Sequence, residues 1–195
     1  MSQGLGALAA LRRRARRRAE EEHCDLCAAP IPVEHRHLLE IKTRQIACSC
    51  PTCALLFPAQ AGARYAEVPR EVRPLPHFAL TDAQWDGLMI PINIAFVLRS
   101  SAEGRMVAYY PSPAGAMESL LDGEAWTEIV SGLGMRDDVE ALMINRLRPP
   151  HEYYVLPIDY CYRLVGLIRT NWRGLSGGAE AWTAIEGFFD EVRRA

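Results

Sequence analysis

Two C-x-x-C pairs, Cys24/Cys27 and Cys50/Cys53, constrain this chain more than any other feature of it. About twenty residues separate the pairs, close to the spacing of four-thiolate metal sites. Two residues between cysteines let the backbone turn as a tight knuckle with both sulfurs on its inner side. Two facing knuckles then offer four thiolates as a tetrahedron, at about 2.3 Å from a zinc ion. The segment that carries them is too short to build much core of its own. A bound metal would supply the missing stability, since structural zinc contributes roughly 10–16 kcal/mol of apparent binding energy at neutral pH. Ordinary reduced thiols have no reason to fall in two matched pairs. The expected ligands are Cys24, Cys27, Cys50 and Cys53. Tetrahedral sulfur donors suit either zinc or one iron in a rubredoxin-like site. Zinc is favoured on general abundance.

Cys48 is a further cysteine beside the second pair. It can replace Cys50 as an alternative ligand, act as a reactive thiol near the metal, or belong to a strand of the ribbon. The last two are preferred, because C-x-x-C makes the better knuckle. His23, His35 and His37 are possible replacement ligands, read here as surface or supporting residues. Between the knuckles, Leu39, Ile41 and Thr43 alternate with Glu40, Lys42 and Arg44, which suits the strands of a small ribbon over residues 38–46. Cys161 lies on the apolar side of a helical pattern, where cysteine acts as a small hydrophobe.

The chain of 195 residues accommodates one ordinary domain beside this module. Its apolar and charged fractions, 49% and 24%, argue against disorder throughout. The pattern divides into a basic helical arm over 1–22, the four-cysteine ribbon over 23–57, a proline-rich linker over 58–77 and a domain over 78–195. Helix formers run from Gly4 to Glu22, with arginines at 12, 13, 14, 16, 17 and 18. In the last region, Thr81 or Asp82 can cap a short helix. Ile92, Ile94, Phe96 and Leu98 alternate with Asn93, Ala95, Val97 and Arg99 as a strand, which turns at 101–104 into a return strand over 105–110. Pro111 and Pro113 are expected to break that strand. A helix over 123–130 should turn Trp126, Ile129 and Val130 inward. Two strands follow, over 139–147 and 153–156. Two helices close the chain; the first buries Cys161, Leu164, Val165 and Ile168, the second Trp182, Ile185, Phe188 and Phe189. The predicted class is α+β: an N-terminal helix, a metal ribbon, and an antiparallel sheet covered by helices on one face.

Several functions lose support at this level. The net charge of −2 gives no global field for nucleic acid, and the arginine run reads as a solvated helix face. No apolar run approaches the ~20 residues of a membrane-spanning helix. The apolar stretch 5–11 precedes the arginines, the reverse of a secretory signal, so a cytoplasmic protein is expected. Six cysteines then suggest metal or redox chemistry before disulfides. No G-x-S-x-G, H-E-x-x-H or dinucleotide fingerprint is present. The glycine-rich stretch 174–178 lacks the lysine of a phosphate loop, and reads as the stop of one helix and start of the next. Whether the protein is an enzyme is left open, with a non-catalytic role preferred.

Two stretches carry a resemblance. One runs from Cys24 through His35-Arg36-His37-Leu38-Leu39 to Cys48-Ser49-Cys50-Pro51-Thr52-Cys53-Ala54-Leu55-Leu56-Phe57. The other is Cys161-Tyr162-Arg163-Leu164-Val165-Gly166-Leu167-Ile168-Arg169 with Trp172-Arg173-Gly174-Leu175-Ser176-Gly177-Gly178. Together with Tyr109–Gly115 they resemble an uncharacterised family common in actinobacteria, a domain of unknown function encoded beside [NiFe]-hydrogenase genes. The cysteine module is also similar to rubredoxins and zinc ribbons. It departs from rubredoxin at Ala28 and Ala54, where glycines usually follow each pair. The resemblance implies a hydrogenase-associated accessory protein with a hydrogenase subunit as partner, acting in assembly or electron relay. A nucleic-acid-binding zinc ribbon and a thiol redox protein using Cys48 are the alternatives.

Overall fold

Short alternating stretches on either side of a tight turn fold as a hairpin, and the first sheet is built this way. The computed structural model describes residues 22–58, 62–119, 121, 123–174 and 176–195. The expected helical arm, apart from its last residue, lies outside them. Two units form, dividing between Glu67 and Val68.

In the first unit, β1 (Arg36–Glu40) pairs antiparallel with β2 (Gln45–Ser49), placing His37 opposite Cys48 and Leu38 opposite Ala47. On the other side of β1 lies β3 (Tyr65–Glu67), giving the order β2-β1-β3. Ion pairs Arg36–Glu67 and Arg64–Glu40 tie β1 to the β3 segment. Helix α1 (Pro51–Leu56) follows β2 almost at once. The segment 58–77, expected as a linker, therefore supplies a strand here, and a second one to the other unit.

The second unit is a six-stranded antiparallel sheet. Its strands are β4 (Arg73–Pro74), β5 (Ile94–Ser100), β6 (Arg105–Ser112), β7 (Gly115–Ser119), β8 (Glu140–Asn145) and β9 (Glu152–Pro157). Their order is β4-β9-β8-β5-β6-β7. Before β5 comes α2 (Asp82–Asp86), opened by a capping box in which the Thr81 hydroxyl accepts from Gln84 N–H and the Gln84 side chain answers to Thr81 N–H. Helix α3 (Gly123–Ser131) follows β7; α4 (Ile158–Asn171) and α5 (Gly178–Val192) end the chain. Between them Gly177 holds φ +89°, and a Cβ there would sit 3.1 Å from the Trp172 ring, so glycine is required.

Helices cover both faces of this sheet, not one. Ala95, Val97, Met106, Ala108, Leu142 and Ile144 form one core with Trp85 of α2 and Trp126 and Val130 of α3. The alternate residues Ile94, Phe96, Leu98, Val107, Met143 and Leu156 are equally buried, and they face the α4 side. This explains why β5 is an almost unbroken apolar run. Both phases of its alternation are needed. A second difference concerns Pro111. The strand β6 continues through it to Ser112 and then turns into β7, which the sequence did not suggest. Beyond Tyr109 no residue of β6 is in register with β5, so a missing N–H is tolerated there as on an edge strand. Trp182 is the third difference. It lies at the surface beside Trp172, with its indole N–H donating to Ser176 O at 3.0 Å, while Ala181 takes the buried position. Cys161, Leu164, Val165 and Ile168 are buried as their spacing predicts. Among the described residues, no helix is long and apolar enough to cross a membrane.

One ionic contact makes acid stability measurable. Glu152 accepts from Arg193 Nε at 2.6 Å and from Asn145 Nδ2 at 2.8 Å. Burial pushes its pKa up, but Arg193 and then Asn145 outweigh burial and hold it below the ordinary range. A carboxyl depressed in the folded state adds stability above its unfolded pKa of about 4.3 and loses it as pH falls through the folded value. Glu152→Gln should therefore cost about 1 kcal/mol at pH 7 and progressively less as the pH is lowered below about 4.3. Denaturant unfolding of both proteins over a series of pH values from 7 downward checks this.

Candidate metal centre

Each cysteine pair is shaped by local backbone bonds before any metal is considered. In the first knuckle, Cys24 N–H donates to Ala29 O and Ala28 N–H to Cys24 O, both at 2.8 Å, and His23 bridges to Pro30. The turn places Ala28 at φ +59°, a left-handed conformation that costs an alanine about 1–2 kcal/mol. The glycine usual at this position would adopt it freely.

The second knuckle is made differently. Cys50 is the N-cap of α1, Pro51 takes the first helical position, and Cys50 Sγ accepts from Cys53 N–H at 3.4 Å. Ala54 then donates its N–H to Cys50 O within an ordinary right-handed turn. No glycine is needed after this pair, because the chain continues as helix. Pro51 directly after a cap residue was the signal for this helix start.

The four sulfurs converge. The Sγ atoms of Cys24, Cys27, Cys50 and Cys53 all lie within 4.8 Å of one another. Cys27 and Cys50, on different knuckles, are 3.7 Å apart, against an edge of about 3.8 Å for a tetrahedron with 2.3 Å metal–sulfur bonds. Cys24, Cys50 and Cys53 are buried and Cys27 is exposed, so the cluster opens to solvent on one side. Leu26, Ala29, Ile31 and Phe57 pack around it.

Electrostatics distinguishes Cys24, Cys27 and Cys53 from one another. Burial opposes ionisation of Cys24, yet the backbone groups of Cys50, Leu26 and Cys27 outweigh it and lower its pKa to about 6. Burial, followed by the sulfurs of Cys27, Cys50 and Cys24, pushes Cys53 strongly upward. Cys27 also shifts upward: the backbone at Ala29 favours its thiolate, but the neighbouring Cys24 and Cys50 sulfurs outweigh that. One thiolate is thus stabilised by the backbone while the thiols of Cys27 and Cys53 are shifted toward their protonated forms. A dication relieves that conflict and lets all four ionise. The cluster could hold a metal ion, and its donors do not identify which.

Cys48 falls in a separate group with His35 and His37. It is tied to the first knuckle by a reciprocal pair of bonds: Asp25 N–H donates to Cys48 O at 2.9 Å, and Cys48 N–H donates to Asp25 Oδ2 at 2.6 Å. Its thiol is pushed upward by burial first, then by Asp25 and Glu22. The mutual grouping of His35, His37 and Cys48 was missed in the sequence. Two histidines at strand spacing were its only trace there. Cys161 lies in the second unit, wholly buried, with its pKa raised by burial.

The chain belongs to the Family of unknown function (DUF5947), which matches residues 23–195. No curated protein and no solved structure matches it.

Among its described residues the first unit has few that are buried, whereas β5 and β8 lie in a two-sided core. Removing metal with a strong chelator should therefore expose the amides of residues 22–67 to hydrogen exchange and leave those of β5 and β8 protected. Cys53→Ser should weaken metal retention by more than about 100-fold, beyond what loss of a supporting contact does. Exchange mass spectrometry and metal analysis measure the two effects.

Proposed function

We propose that this protein is a non-catalytic, metal-binding accessory factor of a [NiFe]-hydrogenase system, acting in assembly or electron relay in the cytoplasm. The observation that carries the metal-binding part is the convergence of four cysteine sulfurs within 4.8 Å. The resemblance of residues 24–57 and 161–178 to a family encoded beside hydrogenase genes supplies the partner. On this reading, residues 23–57 are the metal module with Cys24, Cys27, Cys50 and Cys53 as ligands, 58–77 connect it onward, and 78–195 engage a hydrogenase subunit. Residues 1–22 are a basic arm.

Zinc is the metal we assign. Four thiolates close the coordination shell, which suits a structural ion. The helical second knuckle and Ala28 both differ from the glycine turns of a rubredoxin, which weakens the relay alternative with iron. A thiol redox role for Cys48 is disfavoured by the same burial and carboxylates that keep its thiol protonated.

The test is purification of the full chain without chelators from a host carrying the hydrogenase. A colourless protein with one zinc per chain, retaining a hydrogenase subunit, is expected. A red, reducible protein with one iron would move the role to electron relay. If no hydrogenase subunit co-purifies and deletion leaves hydrogenase activity intact, the assignment fails.

A further inference from the structure

We propose that His35, His37 and Cys48 form a second metal site, an open one, for a borderline transition-metal dication such as Zn²⁺ or Co²⁺. One ligand atom from each lies within 4.8 Å of the others. The first sheet creates this grouping: His37 and Cys48 are directly opposed across β1 and β2, and His35 is two residues before His37. The two rings meet edge to face, with centroids 4.9 Å apart and planes at 84°. Two imidazoles can approach one ion in that arrangement without stacking against each other.

The surroundings of His35 favour a ligand role. Its Nδ1 lies 3.0 Å from Pro32 O, 3.1 Å from Val33 O and 3.1 Å from Glu22 Oε2. Carbonyl and ionised carboxylate oxygens only accept hydrogen bonds, so Nδ1 carries the proton. The lone pair of the neutral ring then resides on Nε2. Metal-bound histidines characteristically donate their other N–H to a carbonyl or carboxylate, which fixes the ring and raises its basicity. The His35 side chain is only 7% exposed, so it is also held in place by packing. Glu22 at His35 and Asp25 at the Cys48 backbone add negative charge on this side, which favours a cation.

The chemistry of the donors defines the ion. Two imidazole nitrogens and the thiolate left when Cys48 releases its proton to solvent on binding the dication suit zinc, cobalt, nickel or copper and not the hard cations magnesium and calcium. Three protein donors leave a fourth position for water or an incoming ligand, in contrast to a closed four-cysteine shell. The site takes no ligand from the four-cysteine cluster. Its existence does not depend on the hydrogenase assignment.

The experiment starts from the full chain with one equivalent of Zn²⁺ bound, and titrates it with Co²⁺. A second equivalent should bind per chain, with visible d–d bands and a thiolate-to-cobalt charge-transfer band, and no zinc should be displaced. Cys48→Ser should abolish the charge-transfer band. His37→Ala, at a half-buried position where folding is least at risk, should lower cobalt affinity by about 100-fold while keeping the first zinc. Saturation at one metal per chain overturns the proposal. So does recovery of displaced zinc in the filtrate, which would place cobalt among the four cysteines, and so does a second equivalent that His37→Ala leaves unchanged.

Discussion

Four sulfur atoms held in one small volume cannot all carry charge unless something positive stands among them, and the first unit is organised around that constraint. The backbone around Cys24 favours one thiolate, and the thiols of Cys27 and Cys53 are shifted toward their protonated forms. Three pieces of the unit lead into this cluster. One knuckle is fixed by its own turn, the other is the beginning of α1, and the Asp25–Cys48 bonds fasten β2 to the first knuckle. Leu38, Leu39 and Ile31 are the large aliphatic side chains buried here among the described residues. So small a core leaves little to offset the conformational entropy of ordering the chain.

The second unit meets the same entropy by ordinary means. Its central strand β5 is buried on both faces, with α2 and α3 over one core and the α4 side over the other. Backbone bonds run across six strands, and the buried carboxylate of Glu140 and amide of Asn145 have partners. Glu140 accepts from Arg136 N–H at 2.7 Å, and Asn145 donates to Glu152. Metal removal and core mutation should therefore act on different parts of one chain.

Much of this was legible in the sequence because it depended on local pattern. The four cysteines, the hairpin of β5 and β6, the α3 face with Trp126 and Val130, and the buried stripe of α4 all follow from spacing alone. What escaped depended on distant partners. Nothing local shows that Ala95 and Val97 face a second core, since only the helices packed there make that side apolar. Pro111 was read as a break because its tolerance depends on where β5 stops pairing with β6. β4 has two residues and β3 three, too few for periodicity. The grouping of His35, His37 and Cys48 exists only once the register sets His37 against Cys48. Trp182 falls on the helical stripe, but its indole N–H found Ser176 O at the surface.

The two ends of the six-stranded sheet bear on how the protein behaves when crowded. An open edge offers unpaired N–H and C=O groups to any extended chain, and is a common start for aggregation. Here one edge is β4, two residues long and ending in Pro74, whose nitrogen has no hydrogen to donate. The other is β7, five residues long, carrying Glu118 paired with Arg105. Neither edge is long, apolar and flat. A sheet whose interior is apolar on both faces thus ends in borders that discourage strand addition.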